Sequence, residues 1–174
     1  MLPDGVTLSD APWDDADATR LRAIQQAEIA VRYADVGSPE VPVSSDVGRP
    51  IAAEEIVAAL LLRVDGEAVG YAAVRDVSSV SDEVGGYHPA GTGEVKRVFI
   101  AATHRGRGLS RLLMREIERR AHAAGLSRLI LETGTKQHES LALYKSLGFQ
   151  PIDRYGEYAW SPESLCFAKE VSPA

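Results

Sequence analysis

Apolar and polar positions follow short periods that change several times along the chain. "VTLSD", Val6–Asp10, alternates and predicts a first strand. The run after it reads as a helix, with Asp14 or Asp15 as N-cap and acids in the first turn. Leu21, Ile24 and Val31 fall on one face of that helix, Ile29 fits less well, and Gly37 and Pro39 end it. Val36–Pro50 is rich in Gly, Pro and Ser and reads as a long loop, a feature often tied to function. Two apolar runs in "IVAALLLRVDGEAVGYAAVRDV" flank Asp65-Gly66 and predict a hairpin with a tight turn. A second loop, Val77–Gly93, leads into "EVKRVFIA", Glu94–Ala101, a strand rich in β-branched residues. Period-two alternation puts Glu94, Lys96, Val98 and Ile100 on one face of it.

The period then becomes helical. Leu109, Leu112, Leu113, Ile117, Ala121 and Ala124 recur on one stripe, Arg111, Arg115, Glu118 and Arg119 lie elsewhere, and Gly125 suits the C′ position. "SRLILETG" is a strand, "HESLALYKSLGF" a helix ending at Gly148, and "FQPID" and "ESLCFAKEV" two closing strands. From Glu94 to Glu132 the order is strand, Gly-rich turn, helix, strand, which implies two neighbouring parallel strands.

A length of 174 residues suits one domain, here residues 1–174. The net charge of -6 argues against a nucleic-acid partner and is compatible with a cationic substrate. Cys166 is the one cysteine, so no internal disulfide forms; it is expected as a buried residue of a closing strand. No basic-then-apolar start and no apolar run of ~20 residues is present, so the expectation is a cytoplasmic protein that does not engage a membrane. No His, Cys or Asp grouping has metal-ligand spacing, so no metal is expected, and His88 and His138 read as solvated.

"HRGRGLSRLLM", His104–Met114, puts two glycines and two arginines directly before a helix. Helix starts carry unpaired N–H groups and a partial positive charge, and glycine lets a ligand approach the main chain. An anion there gains several charge-assisted hydrogen bonds of about 1.5–3 kcal/mol each. The P-loop pattern fails because no Lys follows the glycine, and the dinucleotide fingerprint fails because Arg111 stands at its third glycine. Taken alone, the stretch reads more readily as a solvated basic turn.

Two linked motifs change that. "VFIAATHRGRGLSRLL" resembles the acyl-CoA-binding motif of the GCN5-related N-acetyltransferase (GNAT) family, with Arg105, Gly108 and Ser110 at its signature positions. Ser110 departs from the usual Gly or Ala. "LILETGTKQHESLALYKSLGF" resembles the family's second motif, matched by Leu143, Tyr144, Gly148 and Phe149; Gln137 stands where many members have Asn. The chain is similar to a bacterial branch of small-molecule acetyltransferases.

The resemblance implies an α/β fold: a mixed sheet of six or seven strands, helices on both faces, and a splayed pair of parallel strands. It implies acetyl-CoA as acyl donor and a small-molecule amine as acceptor, joined by direct attack in a ternary complex. Val98, Phe99 and Ile100 would carry the pantetheine arm, with the Val98 N–H polarising the thioester. Arg105, Gly106, Arg107, Gly108, Leu109, Ser110 and Arg111 would surround the diphosphate, and Gln137 would supply an amide. Tyr144 is the implied general acid, its ring packed and its hydroxyl turned to the cleft. Glu132 and Glu94 are equally weighted as base, against a structural role paired with Lys96, Arg97 or Arg128. Glu28, Asp35 and Glu40, with the two long loops and the first helix, would face a cationic amine. A homodimer is compatible with the family. The competing reading is a non-catalytic acyl-CoA sensor.

Overall fold

The computed structural model describes residues 2–34, 51, 53–81 and 86–172. Its strands are β1 (Val6–Asp10), β2 (Ile56–Val64), β3 (Glu67–Asp76), β4 (Thr92–Ile100), β5 (Arg128–Gly134), β6 (Gln150–Ile152) and β7 (Ser164–Glu170). The helices are α1 (Ala16–Arg32), α2 (Leu109–Ala123) and α3 (His138–Ser146). The strands form one sheet in the order β1-β2-β3-β4-β5-β7-β6. All neighbours pair antiparallel except β4 and β5, the parallel pair that the strand–helix–strand order implied. The expected loop Val36–Pro50, with Asp35, Gly37, Pro39 and Glu40, lies outside the described residues.

The sheet is covered on both faces. On one, α2 and α3 bury Leu113, Met114, Ile117, Tyr144 and Phe149 against Leu60, Leu62, Val74 and Leu129. On the other, α1 buries Ala18 and Leu21 against Ala59, Leu61, Tyr71, Ala73 and Phe99. The stripe expected on α1 is corrected: Leu21 is buried, but Ile24 is 39% and Val31 79% exposed. Only the first turns of α1 rest on apolar sheet; farther along, Gln25 and Arg32 bond backbone carbonyls of β4 and of the turn after β5. Asp15 is the N-cap, its carboxylate accepting from the Ala18 N–H at 3.0 Å. The stripe on α2 is corrected in detail: Met114 is buried, whereas Ala124 is exposed beyond the helix end. The Asp65-Gly66 turn has φ of 49° and 86°, as its hairpin requires.

Two irregularities open the sheet at one place. Between Lys96, opposite Ala73, and Phe99, opposite Tyr71, β4 carries one extra residue. Arg97 takes that strain at φ 60°. The bulge inverts the alternation beyond it. Glu94 and Lys96 therefore share the α1 face, as expected, but Val98 and Ile100 point to the α2 face and Phe99 to the α1 core. The second irregularity is the parallel pairing, which spans only Thr92–Glu94 against Arg128–Ile130. Beyond Glu94 the two strands part.

Candidate active site

The gap between β4 and β5 has a lip of unpaired backbone. The Ala101 N–H donates to the Val69 carbonyl at 2.7 Å, so Phe99 and Ala101 bond toward β3. Val98 and Ile100 then turn their backbone groups to the gap. Their carbonyls accept from side chains: Val98 from Gln25 Nε2 and Ile100 from Arg105 Nε, each at 2.9 Å. Their N–H groups face a space from which β5 has diverged.

That space continues as an open cleft running from Val98 to the start of α2. Gly108 is the N-cap at φ 76°, with no side-chain cap, and Gly106 sits at φ 77°. A Cβ on either glycine would meet nothing within 4 Å, so the backbone borders an open cradle. Among the described residues no acceptor takes the N–H groups of Gly106, Arg107, Gly108, Leu109 and Ser110. Leu109 is buried and contributes only its backbone, while Arg107 and Arg111 are exposed at the rim. Gln137, Ser140 and Leu143 form the facing wall.

Arg105 lines the same cleft. Its guanidinium binds Glu28 of α1 at 2.6 Å and lies over the Phe99 ring at 5.5 Å. It braces α1 against the lip. Glu28 is engaged in the same pair, so it is not a free acid on the acceptor side.

On the α1 face a second, small cavity lies over the place where the strands part. Glu94 and Glu132, from β4 and β5, both line it. Glu94 is only 4% exposed. Arg75 Nε and Nη2 each reach its Oε2 at 2.7 Å; Lys96 Nζ at 3.3 Å and the Tyr155 hydroxyl at 3.4 Å reach Oε1. Burial opposes its charge, but Lys96 and Arg75 outweigh burial and hold its carboxyl below the ordinary range. Glu132 has no such cage. Ser164 Oγ donates to its Oε1 at 3.0 Å, and burial pushes its carboxyl up despite nearby Lys96. Arg128, an expected alternative for pairing, holds Glu170 at 2.8 Å instead.

Tyr144 is packed in the α2-side core, edge-on to Phe149 with ring centroids 5.8 Å apart. It is not among the residues lining either cavity. Burial, then the charge of Glu132, raises its phenol above the ordinary value. The phenol therefore stays protonated at neutral pH.

This two-sided arrangement has relatives. The acetyltransferase (GNAT) family profile matches residues 25–149. The chain belongs to the GNAT family. An IAA acetyltransferase of Azospirillum brasilense is 41% identical over 112 residues, covering 64% of this chain and 67% of that one. The N-acetyltransferase YsnE of Bacillus subtilis is 32% identical over 45% of this chain and 54% of its own length. Among solved structures, a protein of Klebsiella pneumoniae assigned as an acyl-CoA N-acyltransferase is 29% identical with a TM-score of 0.73, covering 96% of this chain and 98% of that one. A GNAT acetyltransferase of Elizabethkingia anophelis with acetyl-CoA bound shares the fold at 15% identity, with a TM-score of 0.64 over 97% of this chain and 100% of that chain.

As a GNAT protein the chain is an acetyl-CoA-dependent N-acetyltransferase. The cleft fits that donor: a run of unpaired N–H groups with an open cradle suits a diphosphate, and the lip at Val98 and Ile100 offers N–H groups to an amide-bearing arm. Among the described residues no group of His, Cys, Asp or Glu is placed to hold a metal, and no helix is long and apolar enough to cross a membrane.

Several site residues of this GNAT enzyme were missed in the sequence. Gln25 lines the cleft. Its signal was a polar residue one turn after Leu21, on the buried side of α1. Tyr155 and Tyr158, between β6 and β7, line the second cavity, and nothing periodic marks them. His88 is corrected from a solvated residue to a cavity wall, edge-on to Tyr155 at 5.1 Å. His138 is exposed and Cys166 buried, as expected.

Proposed function

We propose that the protein acetylates a primary amine of a small molecule by direct attack in a ternary complex. The observation that carries this is a pair of cavities on the parted strands, one bordered by Val98–Ile100 of β4 and the other by Glu94 of β4 and Glu132 of β5. One has an anion cradle and free backbone donors; the other has a partly buried carboxylate, Glu132, with a raised pKa. Bound acetyl-CoA supplies a thioester carbonyl carbon for the amine to attack. Glu132 removes the amine proton, directly or through one water. The Val98 N–H stabilises the negative charge that builds on the carbonyl oxygen. Tyr144 donates its proton to the departing sulfur. Glu94, caged by Arg75 and Lys96, keeps the acceptor wall ionised and in place. Gly106–Arg111 hold the diphosphate through backbone N–H groups, with Arg107 and Arg111 adding charge.

Thiol release from acetyl-CoA across a panel of small amines tests the proposal, with Glu132→Gln as control. At least one amine accelerates release in the native protein, and the variant loses that acceleration while binding coenzyme A normally. Tight binding of coenzyme A with no amine-dependent release across the panel favours the sensor reading instead.

A further inference from the structure

α1 crosses the parted strands and touches both sides of the opening. On the β4 side Gln25 Nε2 donates to the Val98 carbonyl at 2.9 Å, and Glu28 holds Arg105 at 2.6 Å. On the β5 side Arg32 Nη1 reaches Glu139 at 2.9 Å and the Lys136 carbonyl at 3.3 Å. One residue later Tyr33 ends the helix. Its hydroxyl oxygen accepts from the Lys136 N–H at 3.1 Å, and the Gln137 side-chain nitrogen lies near it over Gly134. Tyr33 lies directly on Gly134, the last residue of β5. A Cβ at Gly134 would overlap the hydroxyl oxygen and stand 2.7 Å from Cζ. Gly134 does not have a positive φ, so glycine is needed there for clearance and not for conformation.

These contacts concern the cofactor cleft, because Gln137 and Val98 line it from opposite sides. Gln137 is the N-cap of α3, yet its side chain makes no capping bond. A glutamine has one more rotatable bond than the asparagine that the family motif usually carries, and an unanchored side chain loses more entropy on contact with a ligand. With its nitrogen on the Tyr33 side over Gly134, the Gln137 oxygen remains as an acceptor for an amide N–H.

We propose that Tyr33 is a positioning residue of the coenzyme A cleft: seated on Gly134, it fixes the Lys136 peptide and through it the place of Gln137, while Gln25 of the same helix fixes Val98 across the opening. α1 thereby sets the aperture that receives the pantetheine arm. The proposal rests on reading this cleft as the coenzyme A site, but not on the identity of the base or the acceptor.

Coenzyme A affinity, measured by calorimetry without any amine, tests it in the full chain. Tyr33→Phe keeps the ring and removes the hydroxyl; we expect three- to tenfold weaker binding with an unchanged melting temperature. Gly134→Ala displaces Tyr33 and weakens binding more than tenfold, whereas in the Tyr33→Ala background the same change adds less than twofold. In turnover assays KM for acetyl-CoA rises more than kcat falls. Tyr33→Phe and Gly134→Ala variants that fold and bind coenzyme A within twofold of the native protein overturn the proposal. So does an additive effect of Gly134→Ala when Tyr33 is absent. A native protein that does not bind coenzyme A removes the reading of the cleft itself, and the positioning role with it.

Discussion

Ser164 donates its hydroxyl proton to Glu132 Oε1 at 3.0 Å, from β7 to the adjacent β5. The bond occupies one carboxylate oxygen and leaves Oε2 as the oxygen free to take a proton. Burial raises the Glu132 pKa and the Ser164 bond lowers it. A base must be ionised to act, so kcat/KM falls as pH drops through the Glu132 pKa. That limb lies above the ordinary glutamate value of about 4.3. Ser164→Ala removes a bond to the charged form and moves the limb to higher pH. A pH–rate profile checks this, and an unmoved limb argues against Glu132 as the base. Glu132→Gln lowers kcat by about 10²–10⁴.

Glu94 has the opposite role. It is the counter-charge of buried Arg75 and of Lys96. Glu94→Gln leaves both cations without it, and breaking a buried pair costs about 3–5 kcal/mol. Urea unfolding at pH 7 reads that loss. The folded pKa of Glu94 is depressed. Its contribution is therefore complete above the unfolded value of about 4.3 and is lost as pH falls through the folded one. The native protein should lose stability below about pH 4, and Glu94→Gln should flatten that part of the curve.

Gly108→Val should weaken coenzyme A binding more than tenfold. At φ 76° a branched residue is strained, and its methyl groups would fill the open cradle beside the α2 N–H groups. Equilibrium dialysis with coenzyme A measures the change. Unchanged affinity in a folded variant counts against the cradle.

Much of this fold was legible from periodicity. The Asp65-Gly66 turn, the α2 stripe and the strand–helix–strand unit each follow from local pattern, whereas Gly106 and Gly108 suggest a cradle only when the two motifs are read together. What was not legible came from tertiary packing. The bulge at Arg97 is a non-glycine residue at φ 60°, so no residue type announced it, and it reversed the faces of Val98 and Ile100. The pairing of Arg105 with Glu28 joins residues 77 positions apart. The difference between Glu94 and Glu132 depends on which strand supplies Arg75 and Ser164, and spacing along one strand does not contain that.

Tyr144→Phe removes the proposed acid and keeps the ring packed on Phe149. Its melting temperature should stay near that of the native protein, while kcat falls roughly a hundredfold. Stopped-flow assays of thiol release compare the two. A native rate in the variant assigns Tyr144 to packing alone.

Crystallography of the chain soaked with coenzyme A examines the two-sided site most directly. The account predicts the diphosphate on the N–H groups between Gly106 and Ser110, with the thiol end reaching the gap between Val98 and Glu132. Electron density for the diphosphate anywhere else, with the tip of α2 bare, would contradict it.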